Sequence, residues 1–179
     1  MGVKPFRVLI RILVLLLVVW GSVLLIRLPL QLRLNRQVME AVVHGNKTTV
    51  EHLLARGADI NTRDPFTSIR NPWGRSLLIN ALLLKHSDIA RLLIERGADI
   101  HVRDSGEHTA LTYALDANDL PNIRRLLARG ADPNRRSSDG SIELWSAHST
   151  QALTLLLDSG ANPNLRIRGG MTTLMYRCQ

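Results

Sequence analysis

Apolar residues follow two different patterns along this chain. From Ile12 to Ile26 they run without a single charge, ILVLLLVVWGSVLLI, whereas from residue 35 onward they come in short bursts at helical spacing separated by turn formers. Four of the bursts end alike: LLARGADIN at Leu53–Asn61, LLIERGADI at Leu92–Ile100, LLARGADPN at Leu126–Asn134 and LLLDSGANPN at Leu155–Asn164. Their glycines, Gly57, Gly97, Gly130 and Gly160, lie 40, 33 and 30 residues apart, the spacing of a stacked repeat rather than of one globular core. Two leucines, a short gap and a glycine mark the end of an amphipathic helix: the last apolar turn packs inward and Gly takes the left-handed position beyond it. The Asp or Asn that follows favours a turn, and Pro133 and Pro163 keep the next segment out of helix, so extended fingers should connect the units.

The segments between the phrases carry a second regularity. Gly74-Arg-Ser-Leu-Leu-Ile-Asn-Ala81, Glu107-His-Thr-Ala-Leu-Thr-Tyr-Ala114 and Gly140-Ser-Ile-Glu-Leu-Trp-Ser-Ala147 open three units, with Ala81, Ala114 and Ala147 at matching positions, and Gly170-Met-Thr-Thr-Leu-Met begins another. With these residues the chain resembles the ankyrin repeat family. A unit of that family reads roughly G-x-T-P-L-H-x-A-A, a turn, a second helix ending in LL, then GAD-x-N with a basic residue shortly after. The resemblance covers residues 35–179, about four units plus a partial fifth at 170–179. It implies an all-α solenoid of stacked helix pairs with extended finger loops that binds a protein partner through its fingers and concave helical face. The T-P-L-H tetrapeptide is degenerate here. Its first position is Ser76, Thr109, Ile142 and Thr172; its Pro is replaced by Leu77, Ala110, Glu143 and Thr173; its His by Ile79, Thr112, Trp145 and Met175. Ser and Thr can still cap helix starts, but the rest of that hydrogen-bond network should be lost, leaving modest stability.

The uninterrupted apolar run sets residues 1–34 apart as a basic N-tail and membrane-spanning signal-anchor helix. Fifteen helical residues span roughly 22 Å against a hydrocarbon thickness of about 30 Å, and snorkelling of Arg11 and Arg27 extends the usable stretch to residues 8–30. Lys4, Arg7 and Arg11 flank it on one side, Arg27, Arg33 and Arg36 on the other. A cleaved signal peptide fits less well, because cutting near Val19-Trp20-Gly21 leaves the strongly apolar end SVLLIRLPL. A buried core helix this long has no place in a stack of ten-residue helices. The flanks are nearly balanced in charge, and the short basic tail favours an N-terminus in the cytoplasm and repeats outside it, in the periplasm of a bacterial source. Pro29 should end or kink the helix, and QLRLNRQVMEAVVHGNKTTVEHLL reads as an incomplete first unit turning at His44-Gly45-Asn46. The second unit's helices are expected near Ser76–Leu84 and Asp88–Glu95.

Against the phrase spacing, seven extra residues fall in the first finger, NTRDPFTSIRNPWGR. Phe66 and Trp73 lie there, as contact anchors for a partner or as caps on the first two units. The fourth unit is three residues short, which predicts a shortened first helix, with Trp145 packed between neighbouring units. Six positions after each phrase glycine stands Arg63, Arg103, Arg136 or Arg166, with Arg135 and Arg168 beside the later two. Stacked in register these would form a guanidinium ladder suited to an acidic partner, or simply solvated fingers.

Charge narrows the function classes. The chain carries +8 overall, but five of its 23 Lys and Arg lie in residues 1–34, leaving 18 against 15 acids in the repeats, too balanced for a nucleic-acid footprint. A single cysteine excludes an intramolecular disulfide framework. The six histidines form no metal-ligand spacing, Gly45-Asn-Lys-Thr-Thr lacks the glycine and strand of a phosphate loop, and no nucleophile elbow occurs, so neither enzyme chemistry nor a cofactor is expected. The sequence thus predicts a membrane-tethered interaction module. Its partners are a protein and, through residues 8–30, the lipid bilayer. The alternative is an assembly or regulatory subunit recognised through its transmembrane helix.

Overall fold

The computed structural model describes residues 28–63, 74–136, 142–166 and 172. Over these residues the chain is a two-layer stack of short helices: α1 (28–43), α2 (Lys47–Ala55), α3 (Leu77–Leu83), α4 (Ser87–Glu95), α5 (Ala110–Asp116), α6 (Leu120–Ala128) and α7 (Thr150–Asp158). A 3₁₀ turn, Glu143–Ser146, replaces the first helix of the fourth unit, as the three-residue deficit requires. One layer runs through α3, α5 and the 3₁₀ turn, the other through α2, α4, α6 and α7. α1 joins the first layer, where the Asn80 amide donates to Met39 Sδ at 3.2 Å.

Local chemistry sets the helix boundaries. Ser76, Asp119 and Ser149 accept N–H groups of the first turns of α3, α6 and α7, and Thr109 with Thr112 forms a reciprocal capping box at α5. At the other end, the four phrase glycines share one left-handed conformation, φ +82 to +93, and one pair of bonds. In the first copy Gly57 N–H donates to Leu54 C=O and Ala58 N–H to Leu53 C=O, which answers carbonyls the helix leaves orphaned. Ala58, Ala98, Ala131 and Ala161 are buried where that closure folds the chain back onto the helix.

The apolar stripes meet between the layers. Leu77, Leu78, Ile79, Leu82, Ile89, Leu93, Ile94, Leu111, Leu115, Ile123, Leu126 and Leu156 are fully buried, forming a column continuous from unit to unit. Trp145 is half-buried and packs against it.

Pro29 is the second described residue of α1, whose span also includes residues 34 and 35. The Gln31 amide donates to Gly57 C=O at 2.9 Å and Asn35 Oδ1 accepts Asp59 N–H at 2.9 Å, so contacts to the stack begin before residue 35. Most of the expected membrane segment lies outside the described residues, and among the described residues no helix is long and apolar enough to cross a membrane.

Candidate functional site

The stack has two edges. One carries the phrase turns and fingers; the other carries the tight connections at residues 44–46, 84–86, 117–119 and 147–149. On the finger edge, three of the four phrase arginines sit at the same structural position. Arg63 pairs with Ser76, Arg136 with Ile142 and Arg166 with Thr172 in isolated antiparallel bridges. The arginine six residues after the glycine therefore begins the finger stem, opposite the first position of the next unit.

Side-chain amides and carboxylates stitch these turns together. Within each, an Asp or Asn oxygen accepts the N–H two residues on: Asp59 from Asn61, Asp99 from His101, Asp132 from Asn134 and Asn162 from Asn164. Between turns, Asn61 Oδ1 accepts Asp99 N–H at 2.8 Å, and Asn134 Oδ1 accepts Asn162 N–H at 2.6 Å while its amide donates to Gly160 C=O. His101 stands where the third such Asn would be. That joint instead has an ionic link: Arg103 donates to Glu107 at 2.7 Å, and Arg135 Nη2 lies 3.5 Å from the same carboxylate. The two arginines hold the Glu107 carboxyl below its ordinary range.

A buried polar cluster anchors the second finger. Asp104 Oδ1 accepts the N–H groups of Gly106 and His108, and its Oδ2 accepts the Tyr113 hydroxyl at 2.6 Å. Arg75 Nε donates to that hydroxyl at 3.2 Å and lies 3.7 Å from Asp104 Oδ2, while the His108 ring meets the Tyr113 ring edge-on. Burial alone would raise the Asp104 carboxyl, but the Tyr113 hydroxyl, the two N–H groups and the charge of His108 outweigh it and hold the group below its ordinary value. Burial and donation to Asp104 push the Tyr113 hydroxyl up to about 12. The cluster ties residues 104–108 to the entry of α3 and to α5.

A second buried carboxylate lies at the next joint. Glu143, where the family pattern has proline, is 5% exposed, and its Oε1 accepts the hydroxyls of Thr109 and Thr112 at 3.0 and 3.1 Å. Its Oε2 has no hydrogen-bond partner among the described residues. Burial pushes the carboxyl up to about 7, against the pull of the two hydroxyls and Arg135. At this joint the capping threonines of one unit are bonded into a carboxylate of the next.

The predicted site residues fall into three groups. Arg63, Arg103, Arg136 and Arg166 do lie on one edge, but not as a ladder of unengaged guanidinium groups. Arg103 is paired with Glu107, and Arg136 donates to Arg166 C=O at 2.7 Å, as stacked fingers sharing backbone acceptors would. Phe66 and Trp73 lie outside the described residues, as do Lys4, Arg7, Arg11, Arg27 and Arg168. Arg33 and Arg36 are exposed on α1, Arg36 beside Glu40 at 3.3 Å. Sequence reasoning missed Arg75, Asp104, Tyr113 and the role of Glu143. Signals existed: an Asp two residues before a Gly in a short finger, and an ionisable residue at a position expected to be buried. Among the described residues no three His, Cys, Asp or Glu side chains converge as metal ligands.

Comparison with known proteins agrees with this architecture. A family model for ankyrin repeats in three copies matches residues 38–137. "Ankyrin repeat and SOCS box protein 6" of Homo sapiens is 33% identical over 131 residues, 67% of this chain and 30% of that protein. A "Putative ankyrin repeat-containing protein" of Treponema pallidum is 36% identical over 93 residues, 52% of this chain and 29% of the relative. "Inversin" of Gallus gallus is 28% identical over 127 residues, 69% of this chain and 11% of that protein. The chain thus spans less than a third of the length of these relatives.

Proposed function

The chain belongs to the ankyrin repeat family, a family of protein-interaction modules, and from that premise we propose that it is a non-enzymatic, membrane-tethered module that binds its partner along the finger edge. The observation that carries this reading is the continuity of that edge. Amide rungs join the first two turns and the last two, and the Arg103–Glu107–Arg135 link bridges the joint between them. Finger stems in matching register complete one extended edge. Arg63, Arg103, Arg136 and Arg166 supply hydrogen-bond donors along it, and the longer first finger adds Phe66 and Trp73 as apolar anchors.

The tether rests on the charge-free run Ile12–Ile26 and on the start of α1. Leu28, Leu30 and Leu32 are 61%, 53% and 58% exposed, an apolar turn outside the stack's core and directly after the run. With Lys4, Arg7 and Arg11 on the cytoplasmic side, the repeats lie outside the cytoplasm.

The reading is tested by crosslinked capture from the protein's own membranes. Replacing the four arginines together by serine should abolish capture of the protein partner, and unaltered capture would refute the role of the finger edge. Exchanging residues 8–30 for an unrelated spanning helix should preserve capture. Loss of capture in that exchange would favour an assembly or regulatory subunit recognised through its membrane helix, a reading also compatible with the exposed leucines. Activity of a reporter fused after Gln179 in the cytoplasm alone would reverse the topology.

A further inference from the structure

We infer that the finger edge lies against the membrane, its phrase-turn arginines Arg56, Arg96 and Arg129 resting on anionic lipid headgroups; the inference builds on the proposed tether and adds an orientation to it. Three observations converge. The first is where the chain enters the stack. Gln31 and Asn35 touch Gly57 and Asp59, so α1 enters at the finger edge and runs away from it to the turn at 44–46. Four residues lie between Ile26 and Gln31, and the five steps from one to the other span, even fully extended, no more than about 17 Å. With the apolar run inserted, this corner is therefore held close to the lipid, while His44 lies about 20 Å farther along the α1 axis.

The second observation is apolar. Leu28, Leu30 and Leu32 are exposed on the part of α1 that meets this edge. The opposite edge has its own exposed pair, Leu83 and Leu84, but these are 39% and 41% exposed and lie far along the chain from the apolar run.

The third is charge. Arg56, Arg96 and Arg129 are exposed immediately before their glycines, on the same edge as Arg33 and Arg36. Asp59, Asp99 and Asp132 share those turns and keep their charge while accepting their own turn's N–H, and Glu95 and Asp158 lie beside them. The basic excess of this edge comes from adding Arg33 and Arg36 on α1 and Arg63, Arg136 and Arg166 at the finger stems, with Arg103 paired to Glu107. The opposite edge carries Lys47 and Lys85 against Asp88, Asp116 and Asp119. An anionic surface, which attracts basic groups within about a Debye length, therefore favours the finger edge. In this orientation the fingers meet a partner at the membrane surface.

Full-length protein carrying Cys178→Ser is given one dye site, at Ala128→Cys on the finger edge or at His148→Cys on the opposite edge. Energy transfer to a headgroup acceptor is then measured in vesicles of phosphatidylcholine and phosphatidylglycerol in equal amounts. Since a nine-residue helix separates the edges by about 14 Å, transfer at 128 should exceed that at 148 about twofold or more. Changing Arg56, Arg96 and Arg129 to Ser should remove most of that difference, as should phosphatidylcholine alone, and Arg→Lys at the three positions should retain it. Equal transfer at both sites, or more at 148, with the protein floating with the vesicles, overturns the orientation and leaves the tether standing. Protein left behind on flotation overturns tether and orientation together. Transfer that ignores the Arg→Ser changes while protein capture falls assigns these arginines to a protein and overturns the lipid contact.

Discussion

The two edges of the stack solve the same closure problem in different ways. On both, a residue in the left-handed region lets the chain leave a helix, and two N–H groups bond back to its last carbonyls. On the finger edge that residue is glycine four times, and an Asx turn follows each time. On the opposite edge it is Gly45, Lys85 and Asn118, and each joint is tied differently: the His86 ring against Val43 C=O, the Asn122 amide on Ser87 C=O, the Ser149 hydroxyl on Asn118. The repetitive edge yields one regular surface, whereas the other is a set of local solutions that only close the fold. Regularity of exposed groups is what an extended partner or a flat lipid surface can read.

The largest expected effect lies at the buried cluster of the second finger. Asp104→Ala would remove the acceptor of the Tyr113 hydroxyl and of two backbone N–H groups, and the carboxylate beside Arg75. A loss of about 3 kcal/mol in urea unfolding is expected. A loss below about 0.5 kcal/mol would mean the cluster does not brace that finger.

Next is the pH response of Glu143. Its folded-state value, about 7, lies above the ordinary 4.5, so the protonated form is the one the fold favours. Its contribution is complete below about pH 4.5 and is lost as pH rises through 7, up to about 3 kcal/mol on the alkaline side. Unfolding midpoints should fall from about pH 4.5 to about 7 in the parent protein and level off above that, and the fall should vanish in Glu143→Gln.

Smaller changes address the two kinds of turn. Gly97→Ala has open space for its methyl group but a φ of +82, and should cost about 1 to 2 kcal/mol from backbone strain alone. Lys85→Gly, relieving φ +60 on the opposite edge, should gain somewhat less than about 1 kcal/mol. His101→Asn, which would supply the missing rung toward Asp132 N–H, should gain about 1 kcal/mol; no gain would show that the ionic link already holds that joint as tightly.

This contrast also explains what the sequence disclosed. The phrase turns were legible because every copy places Leu-Leu, Gly and Asp or Asn at the same offsets, and the helix pairs, the left-handed glycines and the shortened fourth unit follow from that spacing. Asp104, Arg75 and Tyr113 were not, because three residues from two fingers and a helix meet only once the units stack. Glu143 was visible as a departure from the family pattern, but its partners Thr109 and Thr112 lie 34 and 31 residues away and also serve as a helix cap. The arginine row was located by its period, whereas the use of Arg103 and Arg136 inside the finger edge depended on neighbouring fingers.

The proposed working edge of the molecule is the finger edge. The most direct measurement places a photocrosslinking side chain at Arg103 or Arg136, and separately at Lys85 or His148, in the full-length protein in its own membranes. Adducts to a protein partner from Arg103 and Arg136, with none from Lys85 and His148, are the predicted result. Partner adducts arising mainly from Lys85 and His148 would contradict the account.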